Sequence, residues 1–405
     1  MNSNLRLPLH SGDRQESPLS CAQVLGVALL ALAVVAMPAG ATVVVRSTSG
    51  VPSSLPPVDS RTRAMPFGGS IEFQLRAPII SQLHGFDIVI NPGPGLQANG
   101  PALAAFNRAA QAWESVISDP ITVTIDADLA PLGQGVLGQA GSVLLVADYD
   151  LIRGQMVSDA LDETDDDITA LLPTAALAQF DLPPGFNLDG NILATKANLK
   201  ALQFDSNFLD TTFGATDATI TFSDSFNFDF DNSNGVAGFD FETVAVHELG
   251  HALGFISAVD DVDFFLSQNQ TSDLIAPSTL DLYRFKSSGI NDPTNSVEFT
   301  TFARSLIPGS DDSLDQLIGV FGGDVEARMS TGSFAGDGEQ ASHFKDGLGI
   351  GIMDPTISPG VVVPIGPNDL RAFDLIGYEI TQVPEPTTAL LMALGACGIL
   401  SRRRS

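Results

Sequence analysis

The sequence contains very little cysteine. Its 405 residues include only two, Cys21 and Cys397, and these lie near opposite ends of the chain. Both fall in segments that we expect to be removed during export, so disulfide bonds do not contribute to the stability of the mature protein. The fold must therefore rely on its apolar core, and a chain of this length can bury a large one.

Basic residues are also scarce. The chain has 19 Lys and Arg against 48 Asp and Glu, which gives a formal net charge of −29. A charge of this sign repels nucleic acid and anionic membranes, so we expect neither as a stable partner and no nucleic-acid function. It favours solubility outside the cell and is compatible with binding of divalent cations.

An apolar run near the N-terminus predicts an export signal. A polar, arginine-containing start is followed by apolar residues 24–37 and then by a small-residue stretch that ends at Ala41. The run is shorter than the roughly 20 residues that span a bilayer, so a permanent anchor helix is the weaker alternative. We predict a signal peptide over 1–41, removed by signal peptidase, and an irregular N-terminal arm over 42–85.

The C-terminus carries a second sorting pattern. Pro384-Glu385-Pro386 leads into an apolar stretch over 387–400, and an arginine cluster closes the chain. This order resembles the PEP-CTERM sorting signal of Gram-negative bacteria, in which the arginines stay at the cytoplasmic face. The resemblance implies that an exosortase removes 383–405 and passes the protein to the cell surface or extracellular matrix, with transient membrane contact through the tail. An ordinary hydrophobic anchor is the alternative.

Apolar patterns between these ends predict an α/β (α+β) domain over 86–382. Segments in which apolar and polar residues alternate predict strands, and an alanine-rich stretch with Trp113 on its apolar stripe predicts a helix. A last helix is expected to be capped by Asn368 or Asp369 and to stop at Gly377. The predicted strands are 86–91, 121–126, 142–146 and 218–222, with 226–231 as strand or loop, and the first helix is 101–117. We expect a twisted mixed sheet, an active-site helix and a lower lobe after that helix.

One motif carries the chemistry. In the run 241–255, His247 and His251 are four residues apart, so on a helix they lie on one face, one turn apart. Two imidazoles at this spacing can occupy adjacent corners of a zinc tetrahedron. Glu248 beside the first ligand can accept a proton from a zinc-activated water, which is the chemistry of a zinc metallopeptidase. A helix with incidental histidines is the alternative.

The third zinc ligand must come from elsewhere. The run His-Glu-x-x-His-x-x-Gly-x-x resembles the metzincin motif, but Ser257 stands where the short motif has its third histidine. His343, followed ten residues later by Met353, resembles the leishmanolysin-like branch, in which the third ligand follows a long insertion and a methionine turn underlies the metal. The resemblance implies that His343 is the third ligand and Met353 the turn methionine. Asp260, Asp261 and Asp263 stay open as rivals of His343.

The sequence thus predicts a secreted zinc-dependent endopeptidase that acts on a protein or peptide substrate. The alternatives are a cell-surface or matrix protein that binds metal without cleaving, and a metal-dependent hydrolase of other substrates. A second cofactor, structural Ca2+, is suggested by the acidic loop Asp229–Gly235, although its glycine is one place late for an EF-hand and solvated acidic surface is the competing interpretation. Tyr378 is expected to pack in the core, with oxyanion stabilisation as the alternative.

Overall fold

The computed structural model describes residues 44–47, 65–70, 85–161, 168–315 and 326–381. The predicted signal peptide, most of the predicted arm and the sorting segment 383–405 lie outside the described residues. No helix within the described ranges is long and apolar enough to cross a membrane.

The described chain contains short strands and helices in alternation. The strands are β1 Val44–Ser47, β2 Met65–Ser70, β3 Asp87–Pro92, β4 Thr122–Ala130, β5 Gly138–Ser142, β6 Leu144–Asp148, β7 Phe180–Asp181, β8 Asn187–Leu188, β9 Asn191–Thr195, β10 Ala218–Ser223, β11 Phe228–Asp229, β12 Phe239–Asp240, β13 Leu274–Ile275, β14 Arg284–Lys286, β15 Arg304–Ser305, β16 Asp312–Asp315 and β17 Glu326–Arg328. The helices are α1 Pro94–Ala98, α2 Gly100–Glu114, α3 Tyr149–Asp159, α4 Lys196–Ala201, α5 Ser206–Phe213, α6 Phe241–Leu253, α7 Val259–Ser267, α8 Ser296–Thr301 and α9 Pro367–Leu375.

The largest sheet has four strands in the order β3-β4-β10-β5. The first three strands are parallel, and β5 runs antiparallel to β10 at the edge. Alternate residues of β4, including Val123 and Ile125, are fully buried. Because successive side chains of a strand point to opposite faces, this alternation fixes which face of the sheet meets the core.

Two helices pack beside this sheet and define the core. Helix α2 contacts both β3 and α6, while α6 contacts the edge strand β5. Trp113 of α2 is fully buried, as predicted, and its indole N–H donates to the Val246 carbonyl of α6 at 2.9 Å. A buried indole N–H needs such a partner, so this bond fixes the two helices relative to each other.

The chain after α6 forms a second, smaller apolar cluster around Val259 and Val262 of α7. It also forms the three-stranded antiparallel sheet β14-β16-β17. The structure is therefore a mixture of helices, one four-stranded mixed sheet and several small sheets. This is compatible with the predicted α+β class.

One predicted strand is wrong in detail, and the segment predicted as strand or loop is mostly loop. The segment 142–146 is not one strand, because the chain leaves the central sheet at Val143, whose N–H donates to the Asp217 carbonyl, and β6 then pairs with β9. The segment 226–231 contributes only the two residues of β11. There the carboxylates of Asp229 and Asp231 accept backbone N–H groups of their own loop, which diverts the chain from sheet pairing.

The predicted helix limits also need correction. Helix α2 begins at Gly100 after the N-cap Asn99 and ends at Glu114, three residues before Ile117. The N-cap of α9 is Gly366, so Asn368 and Asp369 lie inside its first turn. Asp369, at the third helical position, still contributes to capping, because its carboxylate accepts the Gly366 N–H at 2.7 Å.

Candidate metal centre

Helix α6 carries two of the candidate ligands. Its N-cap Asp240 accepts the Thr243 N–H at 3.0 Å, and the helix stops at Gly254, whose φ of +134° a side chain would strain. Between these ends, His247 and His251 lie one turn apart with their ring centroids 4.8 Å from each other. The helical spacing predicted from the sequence is therefore present.

The third candidate, His343, lies on the long segment that follows β17 and is 7% exposed. The Nε2 atoms of His247 and His251 are 3.1 Å apart. His343 Nε2 lies 3.2 Å from that of His247 and 3.1 Å from that of His251. His343 is 92 and 96 positions away from His251 and His247 in sequence, yet the fold brings the three ring nitrogens to one point.

The opposite ring nitrogens show how these imidazoles are protonated. Nδ1 of His247 lies 2.8 Å from the Ile352 carbonyl, that of His251 2.8 Å from the Phe255 carbonyl, and that of His343 3.2 Å from the Gln340 carbonyl. A carbonyl oxygen only accepts, so each Nδ1 carries the proton and each neutral ring presents an Nε2 lone pair. The close Nε2 contacts are therefore not hydrogen bonds.

Burial favours the neutral form of two of these rings. It lowers the pKa of His247 and lowers that of His343 well below its usual value, in the latter case with help from the positive charge that His251 and His247 would carry. Three converging lone pairs repel each other unless a cation lies between them. The donor set thus suits a metal ion bound by neutral imidazoles.

The spacing matches zinc. Zn–N bonds of about 2.0–2.1 Å with tetrahedral angles place neighbouring nitrogens about 3.3 Å apart, close to the three separations found here. Of the described residues, His247, His251 and His343 are the only group of three or more His, Cys, Asp or Glu whose ligand atoms all lie within 4.8 Å of one another. A zinc ion held by these three residues would keep a fourth position for water, as a catalytic zinc site requires.

Glu248 is on the same helix and is 6% exposed. Burial raises the pKa of its carboxyl to about 8, because desolvation disfavours the charged form. A nearby dication would oppose this shift. The carboxyl faces Gly138 of the edge strand: a methyl group there would lie 2.8 Å from Oε1. Nothing in the sequence signals this contact, because the two residues meet only in the folded sheet.

Met353 lies beneath the helix, fully buried. A side chain at Gly250 of α6 would overlap its sulfur, so the glycine allows the close approach. The turn is held by Asp369, whose carboxylate accepts the N–H groups of Ile352 at 2.8 Å and Met353 at 3.2 Å. The Ile352 carbonyl in turn accepts from His247, which links the turn to the first ligand. The sequence does not signal this contact of Asp369 with the turn, although its place in the first turn of a helix marks it as a capping residue.

The rival ligands have other partners. The Asp260 carboxylate accepts the N–H groups of Ala341 at 2.6 Å and Ser342 at 3.0 Å. Asp263 accepts those of Phe334 and Ala335, both at 2.8 Å. Neither these two residues nor Asp261 belongs to the convergent histidine group. The carboxylates of Asp260 and Asp263 are therefore directed at the backbone of the segment that carries His343 and not at the histidine group.

Two further expectations are located by the structure. The Tyr378 hydroxyl is buried and donates to the Leu253 carbonyl at 2.7 Å, so the residue packs in the core at the end of α6. In the acidic loop Asp229–Gly235, the partly buried Asp229 accepts the Ala237 N–H and the exposed Asp231 accepts the Ser233 hydroxyl and N–H. These hydrogen bonds lower the pKa of both carboxyls. Structural Ca2+ stays an untested prediction there.

Comparison with known proteins adds one finding. Residues 382–404 match the PEP-CTERM protein-sorting motif. The chain carries that export signal. The motif indicates exosortase processing during export and a surface or extracellular location in a Gram-negative bacterium. No curated protein and no solved structure matches the chain.

We predict that His343→Ala weakens Zn2+ binding by more than the roughly 10- to 100-fold that follows the loss of an outer-shell partner, because it removes one of three inner ligands. Isothermal titration with Zn2+ measures the effect. Lys345→Ala is the control, since this lysine lies on the same segment but pairs with Asp337 at 2.9 Å. Equal Zn2+ affinity in His343→Ala and the unsubstituted protein would contradict the prediction.

Proposed function

We propose that the protein is an exported zinc-dependent endopeptidase. One observation carries the proposal: three neutral histidines present their Nε2 atoms to one point, 3.1–3.2 Å apart, beside the buried carboxyl of Glu248. A zinc ion at this point supplies a Lewis acid and lowers the pKa of a water in the open position. The sorting motif supports a place of action at the cell surface or outside the cell.

Glu248 has the properties of the general base. It follows the first ligand directly on α6, so its carboxylate can accept the proton of the attacking water. The protonated carboxyl that results can then deliver this proton to the leaving amine nitrogen. The same group thus serves as base in the first step and as acid in the second.

The edge strand supports a peptide as substrate. Strand β5 lies beside α6 and ends the central sheet, and in the described part of the chain no further strand pairs with its outer edge. An extended peptide can add to such an edge by backbone hydrogen bonds. Gly138 lies on this strand against Glu248, so a peptide bound there would pass the proposed base.

Glu248→Gln is expected to retain Zn2+ and to lose hydrolysis of a protein substrate such as casein. Glutamine keeps the shape of the side chain but cannot accept the proton of the water. Zinc content by elemental analysis and release of peptides by mass spectrometry check the two halves of the prediction.

Retained hydrolysis in Glu248→Gln would overturn the mechanism. A zinc-loaded unsubstituted protein that is inert towards varied peptide libraries would instead support the alternative of a surface protein that binds metal without cleaving.

Gly138→Ala is expected to lower kcat/KM by up to about 100-fold, because a displacement of the order of 1 Å at a catalytic group has effects of this size. The methyl group would push the Glu248 carboxyl away while the ligands stay in place. Zinc content and melting temperature should change little.

The matched control for this variant is Gly100→Ala. It adds the same methyl group at the start of α2, where nothing lies within 4 Å. Equal losses of kcat/KM in both variants would show that Gly138 has no special relation to the base.

A further inference from the structure

The segment that carries His343 is held largely by the helix that follows the catalytic one. Asp260 of α7 accepts two successive backbone N–H groups, those of Ala341 and Ser342, and also the Ser342 hydroxyl. Its side chain is 5% exposed, so these bonds are shielded from water. Charge-assisted bonds to a buried carboxylate are among the stronger ones in proteins.

A second carboxylate of α7 repeats the arrangement one turn further along. Asp263 accepts the N–H groups of Phe334 and Ala335 and is 1% exposed. Gly332 permits the approach: its φ is +128°, and a Cβ there would lie 2.9 Å from the Asp263 carboxyl carbon. Together the two aspartates fix four backbone N–H groups over residues 334–342.

A basic side chain fixes the carbonyl side of the same segment. Arg284, which is fully buried, donates to the Ala341 carbonyl at 3.1 Å and to the Ser330 carbonyl at 2.7 Å. The N–H of Ser330 donates to the His343 carbonyl at 3.0 Å. The backbone on both sides of the third histidine is therefore tied to elements that themselves pack in the core.

The position of Ser257 explains why this support is needed. A metal ligand at position 257 would be positioned by the end of α6 itself. The chain has serine there instead, and the Ser257 N–H donates to the Ser342 hydroxyl at 2.8 Å. The third imidazole instead comes from a segment 92 residues beyond His251. Ordering so remote a segment costs conformational entropy that α6 cannot offset.

We propose that Asp260 and Asp263 are positioning residues for His343 and set the affinity of the centre for its metal. This inference rests on the proposed zinc site and deepens it. The aspartates do not contact the metal; they act through the backbone N–H groups that they hold. Their removal should let the third imidazole leave the metal while His247 and His251 stay on α6.

The test uses the full chain with Zn2+ and Co2+ as probes. Asp260→Asn keeps the size of the side chain but replaces one acceptor oxygen by an NH2 group. That group cannot accept the hydrogen bonds that Ala341 and Ser342 donate. We expect Zn2+ affinity to fall by about 10- to 100-fold, the usual effect of losing an outer-shell partner. X-ray absorption of the zinc-loaded protein should count three imidazoles in the unsubstituted chain and two in the variant, with a matching change in the Co2+ visible spectrum.

Asp281→Asn is the matched control. Asp281 is equally buried and also accepts three hydrogen bonds, from Ser257, Ala258 and Ser278, none of them on 334–342. The Asp281→Asn variant should lower the melting temperature about as much as Asp260→Asn does, yet its zinc should still be bound by three imidazoles. If Asp260→Asn fails to fold, Asp263→Asn takes its place, because Asp263 accepts the N–H groups of Phe334 and Ala335 on the same segment.

The possible failures are distinguishable. An unsubstituted protein that binds no Zn2+ would overturn the proposed function and this inference with it. A protein that binds Zn2+ through three imidazoles, with unchanged affinity and ligand count in Asp260→Asn, or in Asp263→Asn where that variant replaces it, would overturn only the positioning role.

Discussion

Three nitrogen lone pairs directed at one point are the constraint on which the site depends. Such an arrangement is repulsive without a cation, so the protein must force it. It does so by giving each imidazole Nδ1 a backbone carbonyl, at Ile352, Phe255 and Gln340. The carbonyls fix the tautomer and the ring orientation together, as outer partners of metal ligands commonly do. The packing and hydrogen bonds that hold those three carbonyls offset the repulsion between the three lone pairs.

Each carbonyl belongs to a different part of the fold. Phe255 follows Gly254, the C-cap of α6, so the His251 ring is oriented by the end of its own helix. Ile352 is held through Asp369 of α9, and Gln340 lies just before the two N–H groups that Asp260 accepts. Helices α6, α7 and α9 are therefore all linked to the three histidines through backbone groups. The buried Asp260 of α7 and Asp369 of α9 make these links by accepting backbone N–H groups.

The sequence predicts the local part of this arrangement well. The spacing of His247, Glu248 and His251 on one helix follows from helical geometry alone, and the alternation of β3, β4 and β10 follows from their apolar residues. His343 and Met353 are expected only from a resemblance, and the structure brings His343 to the other two histidines and Met353 beneath α6.

The features that the sequence does not predict depend on long-range contacts. Gly138 meets Glu248 only through sheet pairing, and Asp260, a candidate ligand by composition, is instead a hydrogen-bond acceptor for a distant segment. The single strand expected over 142–146 failed for the same reason, because the second sheet that draws β6 away is built by β9.

The central claim is that the three histidines bind one zinc ion. The most direct test is a crystal structure of the zinc-loaded protein with anomalous data collected at the zinc absorption edge. We expect one anomalous peak per chain, about 2.0–2.1 Å from the Nε2 atoms of His247, His251 and His343, with a water in the fourth position. A peak held by any of the α7 aspartates, or no peak at the histidines at saturating zinc, would contradict it.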